Sequence, residues 1–445
     1  VRRTTIPSVA LPRKAILQTA TCGGVVLLIV VGFQFRALLL SLIGPGIDTG
    51  MQRRLQVPKA STAFPALPDT SSNISVGLVF NYALPDPSSE AHVTNLVWAS
   101  NYTTPTGVYN TKYEQFDREP SQGTPAHNLA WFKRYHPDWV EYNCDRATVA
   151  YEFGEPYVPL DITNPAVLDY FLKSYYQPAI QKGYRGIAFD NVNLANWYGR
   201  CGHYNTSGHW VQQFTGAAGD PAYHTAILNW ARWMAAHLHR IHALVSMNWS
   251  YDWDDPTDSY ALVKYMDLDL DERGFTFWGT SASNEILTGG HWFANMKAIQ
   301  YLTEQGKGYL SDNQYPGSFS AVTTAQKQWA LANYLLIKGS HSWIYICGRQ
   351  QYGHMFTMPE YSAPIGAATD AMYRSQNVYM RDFTNGKAIV NPSTNVTYTV
   401  SLPANAYKDL YGHAVGVVTL GPESGIVLLG ARTSTPASRS HGQRR

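Results

Sequence analysis

The sequence predicts an α/β protein: a closed (β/α)8 TIM barrel over residues 74–374, followed by a small antiparallel β-sandwich over 375–430. Three observations predict it. Eight short runs rich in β-branched and aromatic residues follow one another at 76–82, 95–100, 138–143, 184–190, 243–249, 266–272, 307–312 and 341–347. Segments of helical periodicity separate most of them, the alternation that produces parallel strands covered on both faces. Beyond about residue 375 the rhythm shortens to runs at 378–383, 387–391, 396–402, 408–411, 416–420 and 426–429. Asn-Gly, Asn-Pro-Ser and Tyr-Gly-His turns split them, as in antiparallel β-structure.

The helices follow from the same reading. The spacing predicts helices over 164–182, with Asn164 as N-cap ahead of Pro165, and over 223–242, 292–305 and 325–338. The first connection, 83–94, is short and weakly helical. Eight units over about 270 residues match the size of a closed barrel. An open doubly wound sheet would want a Gly-rich phosphate turn after its first strand, and Asn81-Tyr82-Ala83 is not one.

Ahead of the barrel the chain changes character. Residues 1–22 are a basic flank, with Arg2, Arg3, Arg13 and Lys14. Residues 23–43 are apolar apart from Arg36 and read as a transmembrane or signal-anchor segment. The upstream bases place the N-terminus on the cytoplasmic side. The rest would then lie on the extracellular face of the membrane, or be secreted. Residues 44–73 read as a linker rich in Pro, Ser and Thr, and 431–445 as a disordered basic tail. The net charge of +2 hides an asymmetry: residues 60–431 hold 22 basic and 31 acidic side chains, a net of −9. An acidic folded part argues against nucleic acid as a partner. Aromatics make up 13% of the chain, with 30 Tyr and 13 Trp, which suits either a large core or stacking on sugar rings.

In such a barrel chemistry sits at the C-terminal strand ends, where the loops converge above a rigid core. The expected rim holds Asp145 after strand three, Asp190, Asn191 and Asn193 after strand four, and Asn248 and Trp249 after strand five. Asp271 and Glu272 follow strand six, Asp312 and Asn313 strand seven, and Gln350 and Tyr352 strand eight. Carboxylates and amides bond hydroxyls, and the candidate stacking platforms are Trp98 and Trp249. His237, His239 and His242 lie on a helix before strand five, away from the rim and without the spacing of a zinc helix. No metal and no cofactor are expected. Cys144 and Cys201 fall in loops after neighbouring strands, so a Cys144–Cys201 disulfide is expected, with Cys347 a buried thiol. Asn-x-Ser/Thr sequons stand at Asn73, Asn101, Asn205, Asn248 and Asn395.

At these residues a family resemblance emerges. The run from Gly183 to Val192 (GYRGIAFDNV) and then Arg200-Cys201-Gly202 resembles glycoside-hydrolase-like barrels, most of all the hypothetical glycosyl hydrolase family 15. So do Leu96-Val97-Trp98, His136-Pro137-Asp138-Trp139 with Cys144-Asp145-Arg146, and Glu272-Arg273-Gly274-Phe275. The resemblance spans roughly 75–375. It implies hydrolysis of glycosidic bonds in a polysaccharide or oligosaccharide, and leaves the sugar unnamed.

A catalytic pair can be placed on this frame. Gly186, Ala188 and Asp190 share one strand face, and Arg185, Ile187 and Phe189 the other, so the small face points inward and carries Asp190 to the cleft. On strand six, alternation groups Asp267, Asp269 and Asp271 against Leu268, Leu270 and Glu272, which favours Asp271 as inward. The resemblance, and a break in strand geometry at Arg273-Gly274, favour Glu272. The pair is therefore Asp190 with Glu272, Asp271 being the substitute. By analogy with other barrel glycosidases it would act with retention, Asp190 as nucleophile and Glu272 as acid/base. Asp145, Asn191, Asn248, Asp271 and Asp312, with the two tryptophans, would bind substrate. The alternative is a catalytically inactive, membrane-anchored carbohydrate-binding barrel.

Overall fold

A computed structural model describes residues 66–80, 94–99, 108–119, 126–152, 156–249, 256–276 and 288–431. The proposed anchor at 23–43, the basic flank, the connection at 83–93 and the tail lie outside these. Among the described residues no helix is long and apolar enough to cross a membrane.

Eight parallel strands close into a barrel: β1 (Val76–Val79), β2 (Thr94–Ala99), β3 (Tyr109–Gln115), β4 (Gly186–Asp190), β5 (Leu244–Asn248), β6 (Leu268–Asp271), β7 (Gly308–Tyr315) and β8 (Ser342–Gly348), with β1 hydrogen-bonded to both β2 and β8. Their helices surround them. Asn164 caps its helix by accepting from the Ala166 amide, ahead of Pro165. The helix Thr324–Ile337 opens on a capping box between Thr323 and Gln326.

The third strand differs from the expected one. The segment at 138–143 forms a 3-10 turn, Pro137–Trp139, and a short strand, Tyr142–Asn143. That strand joins Arg200–Tyr204 and Trp210–Gln212 in an antiparallel sheet beside the barrel. The true third strand reads YNTKYEQ, too polar to stand out as a buried strand. Both faces are nonetheless accounted for. Outward, Lys112 pairs with Glu114 at 3.1 Å. Inward, Thr111, Tyr113 and Gln115 share a face with Gly186, Ala188 and Asp190 of β4.

Parallel register carries this face around the barrel. Ala188 pairs with Ser246, Ser246 with Leu268, Leu270 with Leu310, and Leu310 with Trp343. Trp98 points inward and donates its indole N–H across the barrel to Ser246 Oγ at 2.6 Å. Gly77 leaves room for Leu310: a Cβ there would fall 2.5 Å from the Leu310 Cδ1.

Residues 66–73, expected as linker, are tied to the barrel instead. The Thr70 amide donates to the Ser340 carbonyl, and buried Lys338 donates to the Thr70 and Ser71 carbonyls. The C-terminal strands are β9 (Tyr373–Ser375), β10 (Val378–Phe383), β11 (Gly386–Asn391), β12 (Tyr398–Ser401), β13 (Tyr407–Asp409), β14 (Ala414–Val415), β15 (Val417–Leu420) and β16 (Ser424–Gly430). Six form one antiparallel sheet, and β12 pairs with β15 in a second. Val378, Met380, Ile389, Val400, Val418, Leu420 and Leu428 fill the space between the two sheets. The domain packs on the barrel through helix Thr324–Ile337, where Gln328 accepts from the Val427 amide at 2.9 Å.

Candidate active site

The inward face reaches the rim as Tyr113 and Gln115 on β3, Asp190 on β4, Asn248 on β5, Glu272 just past β6 and Asp312 on β7. The Asp190 carboxylate is almost ringed by donors. Oδ2 accepts from the Tyr113 hydroxyl at 2.9 Å and Gln115 Nε2 at 2.8 Å. Oδ1 accepts from Asn248 Nδ2 at 2.8 Å and the Asn191 amide at 2.9 Å. Donors in these positions are complementary to an ionised carboxylate. Asn191 reaches its place in a left-handed conformation, φ +58°, which Asn tolerates better than most residues. Its own side chain donates to Gln115 Oε1 at 2.9 Å.

Glu272 stands opposite. Its Oε2 accepts from Asn248 Nδ2 at 2.7 Å and its Oε1 from the Tyr352 hydroxyl at 2.9 Å. One amide nitrogen thus bonds both acids, so Asp190 Oδ1 and Glu272 Oε2 lie within about 5.5 Å of each other. At the 120° spread of the two N–H bonds of an amide the separation is roughly 4.8 Å. Burial, and then the charge of Asp190, push the Glu272 carboxyl up to about 7. Asp312, fully buried nearby, is held well above the usual carboxylate range by burial and by Glu272. Gln314 Nε2 bonds it at 2.9 Å.

Glu272 is aimed by a pinned turn. The Gly274 amide donates to the Asp271 carbonyl at 3.0 Å, the Phe275 amide to Asn313 Oδ1 at 3.0 Å, and Trp329 Nε1 to the Phe275 carbonyl at 3.0 Å. Gly274 has φ +48°, and a Cβ there would sit 2.2 Å from the Asp312 carbonyl. Only glycine fits this approach.

Several expected site residues lie elsewhere. Asp271 points outward to the helix layer, bonded by Asn295 Nδ2 and the Tyr309 hydroxyl, so the inward face of strand six is the Leu268–Leu270–Glu272 face. Asp145 follows no barrel strand. It is exposed and closes its own turn, accepting from the Ala147 and Thr148 amides. Trp98 and Trp249 are 0% and 3% exposed and offer no face to a ring: Trp98 fills the barrel interior. Asn313 turns outward, to Ser311 and Phe275. Asn248, one of the sequons, is buried between the two acids. Tyr113 and Gln115 were missed along with their strand; the alternation of Tyr109, Thr111 and Tyr113 after Pro105-Thr106-Gly107 was the available signal. Cys144 and Cys201 form a disulfide with Cα atoms 5.0 Å apart. It bridges the antiparallel sheet beside the barrel, where Asn143 pairs with Arg200, not neighbouring barrel loops. Cys347 is a buried free thiol.

No curated protein matches the chain. Solved structures with similar folds include a maltogenic α-amylase, AmyB, from Thermotoga neapolitana (10% identity, 81% of this chain and 99% of that one, TM-score 0.44). The glycoside hydrolase domain of PelA from Pseudomonas aeruginosa is another (11%, 61% and 94%, TM-score 0.38). A third is an α-amylase from Geobacillus thermoleovorans (9%, 82% and 100%, TM-score 0.42). The model of the hypothetical glycosyl hydrolase family 15 matches residues 108–387, more than half of the chain; the chain belongs to that family and is a glycoside hydrolase.

Proposed function

We propose that the enzyme cleaves an extracellular polysaccharide with retention of anomeric configuration, Asp190 acting as nucleophile and Glu272 as acid/base. The observation that carries this reading is the shared amide of Asn248, which keeps the nearest oxygens of the two carboxyls within about 5.5 Å and so favours the short carboxyl spacing of retaining glycosidases, about 5–5.5 Å. An inverting pair needs roughly 6.5–9.5 Å, to admit a water between acid and sugar. The environments of the two acids also divide the labour. Asp190, surrounded by donors, is suited to attack the anomeric carbon as a carboxylate. Glu272, pushed up to about 7, holds a proton for the leaving oxygen and can take one from water in the second step. Residues 23–43 would hold the barrel outside the cell.

Activated aryl glycosides of neutral, amino and acetamido hexoses provide the test, since they lower the demand on the acid. On any glycoside the wild type cleaves, Asp190→Ala should lose at least about 10³-fold in kcat. Added azide should restore turnover and give a glycosyl azide of inverted configuration, while the wild-type product keeps the configuration of the substrate. Inverted wild-type product, or full activity in Asp190→Ala, refutes the assignment.

A further inference from the structure

Beside the barrel, apart from the paired acids of the rim, three side chains from three separate segments converge. Glu141 follows the 3-10 turn, Asp161 precedes the helix capped by Asn164, and His203 lies in the strand Arg200–Tyr204. One donor atom from each lies within 4.8 Å of the others. Glu141 and Asp161 are buried, at 1% and 2% exposure. The Asp161 carboxylate is held by neighbours: Oδ1 accepts from the Thr163 amide and hydroxyl at 2.8 and 2.6 Å, and Oδ2 from Gln213 Nε2 at 2.8 Å. His203 Nδ1 lies 3.4 Å from Asp161 Oδ2 and 3.3 Å from Gln213 Oε1. Glu141 is different, because its Oε2 is buried without a hydrogen-bond partner.

From this constellation we infer that Glu141, Asp161 and His203 bind a divalent first-row transition ion, Zn2+ before others. A buried carboxylate oxygen with no donor, next to a second carboxylate, is costly unless a cation or proton compensates it. The wider charge balance points the same way. Around Arg200 lie four buried carboxylates, Asp117, Glu141, Glu152 and Asp161, against two buried guanidiniums, Arg118 and Arg200. Arg200 pairs with Asp117 at 2.5 Å, and it makes no hydrogen bond to Glu141 Oε2. A divalent ion would offset the two carboxylates that face the cluster, Glu141 and Asp161. An imidazole nitrogen among the donors favours Zn2+ and its neighbours over Ca2+ or Mg2+. Ligands at about 2.0–2.2 Å from a tetrahedral centre stand roughly 3.3–3.6 Å apart, so binding from donors within 4.8 Å of one another closes the cluster by at most about 1.5 Å. The Gln213 amide oxygen lies near enough to serve as a fourth donor. The ion would clasp the three segments together in the same subdomain as the Cys144–Cys201 bridge. Its role there is to position the loops beside β3, with no part in the sugar chemistry.

The experiment uses the full chain freed of metal by dialysis against a chelator. Titration with Zn2+ should show one ion bound per chain and a rise in Tm. Glu141→Gln, close in shape and lacking the charge, and His203→Gln should each weaken binding at least tenfold and abolish the rise in Tm. Both variants should match the wild type in circular dichroism before metal is added. Should a variant fail to fold, Co2+ added to the wild type decides: a d–d absorption of a four- or five-coordinate site is expected, and its absence overturns the proposal. Unchanged binding in both variants, or no metal effect on the wild-type Tm, equally overturns it. The cluster would then be a protonated Glu141 beside a charged His203–Asp161 pair.

Discussion

Replacing Tyr352 with Phe probes how Glu272 is tuned. The Tyr352 hydroxyl donates to Glu272 Oε1 at 2.9 Å, and this bond favours the ionised acid. Burial and the charge of Asp190 work in the opposite direction and win, leaving Glu272 at about 7 against 4.5 for a free Glu side chain. A hydrogen bond to a charged group contributes about 1.5–3 kcal/mol, and roughly half of that survives when the acid is neutral. The differential loss is therefore about 0.8–1.5 kcal/mol, or about 0.5–1 pH unit. As the proposed acid, Glu272 must be protonated, so kcat/KM should fall above about pH 7 in the wild type. In Tyr352→Phe that alkaline limb should move upward by about 0.5–1 unit. The plateau below it should change by less than about tenfold, because the proton itself is retained. The assay is a pH profile of kcat/KM on an aryl glycoside whose release needs acid assistance. An alkaline limb that stays in place or moves to lower pH refutes this account of Glu272.

The pH dependence of stability has the same origin. The folded protein holds the Glu272 proton between about 4.5 and 7, where the unfolded chain releases it. This group therefore favours the fold fully below that window, and its contribution is lost as pH rises through 7.

Two further substitutions test the frame around the acids. Gly274→Ala places a Cβ against the Asp312 carbonyl at positive φ; urea titration should show a loss of about 1–3 kcal/mol, and kcat/KM should fall by at least about tenfold as the turn bearing Glu272 shifts, so a wild-type-like variant would show the turn is not under constraint. Cys144→Ser with Cys201→Ser opens a cross-link between positions 57 residues apart, for which chain entropy gives about 4 kcal/mol; differential scanning calorimetry reads it, and an unchanged Tm would mean the subdomain is held by other contacts.

Much of this architecture was legible because a buried parallel strand needs an apolar run and a helix needs periodicity and caps. Strands β4 to β8 and the helix start at Asn164–Pro165 carry both signals plainly. Strand β3 was illegible for a physical reason. Its inward face ends in Tyr113 and Gln115 because it serves the Asp190 carboxylate, and its outer face is satisfied by the pairing of Lys112 with Glu114. A strand that turns polar groups inward to serve a site looks like a loop in one dimension. The expected 138–143 strand erred the other way: Trp139, Val140 and Tyr142 are buried, and buried aromatic and β-branched residues beside the barrel have the look of a barrel strand.

Strand six shows why alternation located one acid and misplaced the other. In a closed barrel both faces are buried, so large apolar residues need not point outward. The inner layers must be filled, and where β4 contributes Gly186 and Ala188, β6 contributes Leu268 and Leu270. Small residues inward on one strand call for large ones inward on another. A rule reading "small means inside" holds at β4 and inverts at β6. Two of the outward aspartates find partners in the helical layer or the neighbouring backbone: Asp267 bonds His239 and the Val245 amide, and Asp271 bonds Asn295 and Tyr309. Asp271 then acts indirectly. Its carbonyl and Oδ1 both accept from the Gly274 amide, fixing the turn that delivers Glu272 to the amide it shares with Asp190. The acid at the rim and the acid behind it are thus parts of one device, in which the buried aspartate sets the backbone and the partly buried glutamate is held beside Asp190.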